Sequence, residues 1–189
     1  MTRSSSHLGR LLLEMVSIVF AVVLGFAVTN WDAARRDRTQ AARALDRIAL
    51  ELDANLTGLA RAGPYYATMA ERLDSLVRAR GDGPALEIDI PGWRGLSPPS
   101  IRTASFRVAT QTGALENIPF DLADELAVTY DMFEDFRGAV DHALGAVLTG
   151  ELTEVSSWRA VFALCAELAV TAQRQAKHAL EVLRSGRGT

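Results

Sequence analysis

The chain of 189 residues holds one cysteine, three histidines and a single lysine, Lys177, and each scarcity closes off a class of chemistry. Cys165 alone excludes an intrachain disulfide and any multi-cysteine metal site. It fits a reducing compartment and does not exclude the other side of a membrane. His7, His142 and His178 are far apart and show no HExxH-type spacing, so no metal set is expected. No phosphate-binding glycine loop, nucleophile elbow or Walker signature is present. The expectation is therefore a non-enzymatic chain with no catalytic residue and no cofactor. Basic excess is also missing: a net charge of -3 gives no general attraction to nucleic acid. Proline is sparse, and none precedes Pro64. Wholesale disorder is excluded by 49% hydrophobic and 23% charged residues, ordinary values for a folded domain.

What is abundant is one long apolar run. Leu11 to Thr29 reads LLLEMVSIVFAVVLGFAVT, apolar except for Glu14, Ser17 and Thr29. Extended to Trp31 it spans about 31 Å at the helical rise, the thickness of a bilayer core. Glu14 sits near one end, where its side chain can reach the interface. Trp31, with Arg35 and Arg36 after it, reads as the interfacial anchor at the other end. A cleaved signal peptide shares Arg3, Arg10 and an apolar core, with Gly25-Phe26-Ala27 resembling a cleavage site. The length of the core, Glu14 and the arginine cluster directly behind it favour a spanning helix. A core helix of a soluble protein would carry a polar face, which this stretch lacks.

The expected organisation is a tail at 1–10, a transmembrane helix at 11–31, a helical membrane-proximal domain at 32–185 and a tail at 186–189. Five arginines between Arg35 and Arg47, against Arg3 and Arg10, lean toward a cytoplasmic C-terminal domain by the positive-inside rule. The short N-terminal tail with its amino group argues for the opposite orientation. Within the span, Ser17, Ala21, Gly25 and Thr29 recur every four residues, the small-xxx-small spacing that lets two helices approach closely. Two readings stand side by side: a self-association face, or the ordinary abundance of small residues in spans.

Beyond the span the fold class is expected to be all-α, an antiparallel bundle with one long Pro/Gly-rich loop. Leu45, Ile48, Leu52, Asn55 and Leu59 follow helical spacing, and Asn55 is either a buried register-setting residue or an exposed or capping one. Gly63-Pro64 is expected to break the helix, with a second helix over 65–80 presenting Tyr66, Met69, Leu73 and Leu76. Four of the six prolines and four glycines fall in Gly81–Pro99. There Leu86, Ile88 and Ile90 alternate with Glu87 and Asp89, which suits a short strand but is read as a structured loop. A short helix is expected from Ser100 to near Gly113. After Pro119, Leu126, Tyr130, Phe133, Arg137, Val140, Leu144 and Val147 step by fours and threes, closed by Gly150. A last helix, 151–184, carries Val155, Trp158, Phe162, Cys165, Ala169, Ala172, Ala176 and Leu183 on one face.

Polar candidates are few. Asp131, Glu134 and Asp135 share a helix face and, like Asp141, read as solvated; Asp141 and His142 point different ways. Cys165 on an apolar face reads as an inert core thiol. Arg137 and Arg159 interrupt apolar seams and are expected to pair with acids or reach outward. Trp93 and Arg94 in the glycine-flanked loop read either as a contact for a partner or lipid headgroups, or as a cap folded back on the bundle.

Several of these marks together resemble a family of short single-span bacterial membrane proteins of unknown function. The resemblance is carried by Glu14, Gly25 through Asn30-Trp31, Arg35-Arg36, Glu51-Leu52, Asn55, Thr112-Gly113-Ala114-Leu115 and Tyr130. It implies a helical domain tethered at the bacterial inner membrane, and no activity. The expected partners are the lipid bilayer, a second copy of the chain and an unidentified protein. The alternative is a single-span sensor holding a small molecule in its helical domain.

Overall fold

A computed structural model describes residues 5–84 and 89–185, with side chains from Leu13 onward. Leu86, Glu87 and Ile88 of the alternating stretch read as a structured loop, Arg3, the side chains of His7 and Arg10, and the tail at 186–189 lie outside the described residues. Helix α1 spans Ser5–Arg80, α2 Ala104–Gln111, α3 Phe120–Thr149 and α4 Val155–Ser185, with a 3₁₀ turn at Ala114–Asn117. No strand occurs among the described residues; Pro84 and Glu154 form one isolated antiparallel bridge. The chain divides into two compact units, Met1–Arg43 and Ala44–Thr189.

In the first unit every described residue from Leu13 to Asn30 is exposed around the full circumference of the helix. The second unit is an all-helical bundle with a single core. From α1 it takes Ile48, Leu52, Asn55, Leu59, Ala62, Tyr66, Met69 and Leu73, all buried and separated by alternating steps of four and three. This seam runs straight through the expected break. Pro64 lies inside α1, exposed on the opposite side. An interior proline forfeits one backbone hydrogen bond and costs about 3 kcal/mol. Burying a single large apolar side chain returns about 1.5–3 kcal/mol, and the seam places such residues on both sides of Pro64. Tertiary packing therefore overrides the local signal, and the expected second helix is the end of the first. Gly63 serves the same packing: a Cβ there would lie 3.7 Å from the Cβ of Ala169 on α4.

Helices α3 and α4 form an antiparallel hairpin, with Gln175 near the end of α4 donating to Glu125 near the start of α3 at 2.7 Å. The turn between them follows the C-terminal punctuation seen in the sequence. Gly150 adopts φ 73°, a left-handed conformation, which glycine takes without steric cost. The α4 face is buried as expected, with Ala169, Ala172, Ala176 and Ala179 giving the close approach. On α3 the expected face is rotated near its end. Phe136 and Ala143 are buried, whereas Leu144 and Val147 are 37% and 38% exposed. Arg137 leaves the seam and pairs with Glu134 at 2.5 Å.

Helix α2 begins at Ala104 rather than Ser100. The backbone ahead of it is held at Arg102 by Asn55. That asparagine, fully buried, donates to the Arg102 carbonyl and accepts from the Arg102 amide, both at 2.8 Å. Asn55 is thus a clamp on the α2 approach, with the irregular backbone before α2 as its partner rather than another helix seam.

Candidate functional site

Two features of the bundle gather polar or aromatic groups. The first is built around Glu51, 6% exposed on α1. Helix α2 starts behind Thr103, whose side chain makes no capping bond. Glu51 takes over that task from another helix: its Oε2 accepts from the Ser105 amide at 2.8 Å and its Oε1 from the Phe106 amide at 3.3 Å. The Tyr130 hydroxyl donates to Oε1 at 2.7 Å. An acidic group suits a helix N-terminus because the peptide dipoles leave partial positive charge there. Phe106 stacks on Tyr130 with ring centroids 4.2 Å apart and planes 7° apart. Burial, then the bond to Glu51, raises the Tyr130 phenol far above its ordinary range. Every group in this cluster is engaged, so it holds α2 rather than presenting free chemistry.

The second feature is a cleft of about 660 Å³. Its walls are Leu73 of α1, Pro84, Asp89, Ile90, Trp93 and Gly95 of the connecting segment, Val147 and Gly150 at the end of α3, Leu152 and Thr153 of the turn, and Val155 and Trp158 of α4. Each side has a local cause. Gly92 and Gly95 adopt φ 77° and 65°, turning the chain so that Trp93 comes back onto the bundle. Its ring lies 5.1 Å from both Trp158 and Phe162 in edge-on geometry, a favoured aromatic arrangement. The Trp158 indole N–H donates to the Leu152 carbonyl at 3.0 Å, tying the turn to α4. Arg72 donates to the Pro91 carbonyl from α1.

On the far side, Asp82 latches the segment to the start of α4. Its carboxylate accepts from the Ser156 amide at 2.9 Å and from the Ser156 hydroxyl, and the Ser156 bonds hold its pKa below the ordinary range. Arg94 is placed on Tyr65: its Cζ sits 4.4 Å from the ring centroid, its amide donates to the Tyr65 hydroxyl at 3.0 Å, and that hydroxyl donates to the Gly95 carbonyl at 2.7 Å. Trp93 therefore packs on the bundle with one side, yet remains 37% exposed.

The other sequence candidates lie apart from the cleft. Ser17, Ala21, Gly25 and Thr29 are helical and exposed in the first unit. A Cβ on Gly25 would meet open space, and the Thr29 hydroxyl donates to the Gly25 carbonyl at 2.9 Å. Trp31 is exposed with the Arg35 guanidinium 5.8 Å from its ring centroid, and Arg36 pairs with Asp32 at 2.6 Å. Asp131, Glu134, Asp135, Asp141 and His142 are exposed. Cys165 is buried, and desolvation pushes its thiol up to about 11. Arg159 faces Asp74 at 3.6 Å.

Sequence reasoning named Trp93 but not Trp158, Leu152 or Asp89 as neighbours of one cleft. The available signal was local: a tryptophan between two glycines, and a second tryptophan in the first turn of a helix. Comparison with family models, with curated proteins and with solved structures gave no match for the chain.

Proposed function

We propose that residues 11–31 cross the inner membrane once and that the chain is a non-enzymatic module holding its helical domain, with a second copy or a protein partner, at that membrane. The observation that carries this reading is the exposure of the apolar helix. Among the described residues two helices are long and apolar enough to span a bilayer, α1 and α4, but 28% of the most apolar stretch of α4 is buried against 0% for α1. One face of α4, including Val155, Phe162, Leu180 and Leu183, already packs in the core. The apolar residues of Leu13–Trp31 have no protein cover, and water is a poor solvent for so large an apolar surface. A bilayer supplies the missing cover, with Trp31 and the arginines at its edge. The arginine balance favours a cytoplasmic domain, which paired C-terminal reporters active on only one side of the membrane would read directly.

A double variant, Val19→Arg with Val23→Arg, tests the span. Each charge near the centre costs roughly 2.5–3.5 kcal/mol of insertion. The full chain should move from the carbonate-resistant membrane fraction to the soluble or aggregated one; retention in the membrane at the native level would refute the anchor. Self-association is assigned to the Ser17–Ala21–Gly25–Thr29 face. Gly25→Ile should reduce the signal of a membrane-helix association reporter severalfold, and equal signals for the two sequences would remove that face from the reading. A second reading, a single-span sensor with a small molecule in its domain, is favoured by the tryptophan-walled cleft.

A further inference from the structure

We infer that the cleft between the α3–α4 turn and the Trp93 segment is a binding site for an apolar cation, an aliphatic or aromatic body carrying an ammonium-type charge. The inference rests on the small-molecule reading just given and adds to it the size and the charge of the ligand. A volume of about 660 Å³ falls in the usual range for small-molecule sites, roughly 300–1,000 Å³. The walls are mainly apolar, with indole rings from Trp93 and Trp158. Such rings attract positive charge at their faces, and tryptophan does so most strongly.

The charge of the site follows from what borders it. Asp89 is the sole charged side chain among the described lining residues. Two helix ends also reach the cleft, α3 at Gly150 and α4 at Val155. The positive end of α4 is already met by Asp82, which accepts from both the amide and the hydroxyl of Ser156. The negative end of α3 has no cationic side chain among the described lining residues; its last carbonyls accept from the neutral Gly150 and Glu151 amides, and helix dipoles leave partial negative charge at that end. Of the arginines on the elements around the cleft, Arg159 faces Asp74, Arg72 donates to the Pro91 carbonyl and Arg94 lies over the Tyr65 ring. An anion entering the cleft would face Asp89 and the α3 terminus with no cationic side chain among the described lining residues, Arg72 lying beyond the wall in a neighbouring hollow that Asp89 also lines. A cation would meet both Asp89 and that terminus, with indole on the adjoining wall.

The test uses the full chain in lipid nanodiscs with Trp31→Phe, which leaves Trp93 and Trp158 as the only tryptophans. Benzyltriethylammonium is titrated while tryptophan emission is followed, with 4-tert-butylbenzoate as an anion of comparable apolar bulk. The expected result is a saturable emission change with the cation alone, weakened at least about tenfold by Asp89→Asn and abolished by the cleft-filling Val147→Phe. Asp89 is exposed, so Asp89→Asn should keep the native circular dichroism. Equal cation affinity in Asp89→Asn, or equal binding of the anion, would overturn the charge assignment while leaving a small-molecule site standing. No saturable change with either probe would overturn the inference and the sensor reading together.

Discussion

Glu51→Ala should destabilise the helical domain by roughly 3–5 kcal/mol, because it removes one buried acceptor that serves three donors. The Ser105 and Phe106 amides and the Tyr130 hydroxyl all end on this side chain. Each orphaned buried donor costs about 1–3 kcal/mol, partly relieved where water enters. Helix α2 has eight residues, too few to persist alone, and its own Thr103 offers no cap. The loss should therefore be local first. Amide hydrogen exchange over 104–111 should accelerate before the core of α3 and α4 loosens. Glu51→Gln, which keeps a side-chain oxygen acceptor, should restore part of the stability. Asn55→Ala should act on the same segment, since it frees both backbone groups of Arg102. The two variants share a segment, so their effects should be less than additive. Urea midpoints of the full chain in mild detergent measure all three. A Glu51→Ala midpoint within error of the native one, with unchanged exchange at α2, would show that the cap is dispensable.

This clamp marks the boundary of what the sequence made legible. Helices α3 and α4 were readable because their cores repeat at helical spacing and their joint is punctuated by Gly150, a purely local device. The alanine run from Ala169 to Ala176 announced close packing, and Gly63 opposite Ala169 on α1 supplies it. Pro64 misled because its local cost was visible while the compensating seam, from Ile48 to Leu73, had to be counted across it. Glu51 and Asn55 looked like one acidic and one polar residue in an apolar pattern. Their meaning depends on partners about 50 residues away, and no spacing rule encodes that distance. The end of α3 failed for a related reason. Leu144 and Val147 keep the heptad rhythm, but the helix turns Phe136 and Ala143 inward instead. Where Val147 emerges, it becomes a wall of the cleft.

Phe162→Ala should cost about 3–5 kcal/mol, the usual range for deleting a buried phenylalanine ring, and should change the cleft as well as the core. Phe162 is fully buried and is the hub of the aromatic cluster. Its ring centroid lies 5.9 Å from those of Tyr65 and Tyr66, 5.1 Å from Trp93 and 6.2 Å from Trp158. Tyr65 in turn carries Arg94 on its face and Gly95 on its hydroxyl. Removing the hub leaves a void that rigid helices fill only in part. It also frees the inner edge of Trp93, whose outer side is already open. Two signals should therefore separate. Global unfolding by urea should shift to lower concentration with an unchanged slope, as a core cavity predicts. Tryptophan emission of a folded Trp31→Phe, Trp158→Phe background, in which Trp93 is the one tryptophan left, should move to longer wavelength, reporting water at Trp93. Phe162→Leu retains much of the volume and should recover most of the stability without restoring the edge-on ring contacts. A red-shifted emission that persists in Phe162→Leu would show that aromatic geometry, beyond bulk, seats Trp93. Native emission in both variants would mean that the Gly92 and Gly95 turns hold Trp93 by themselves.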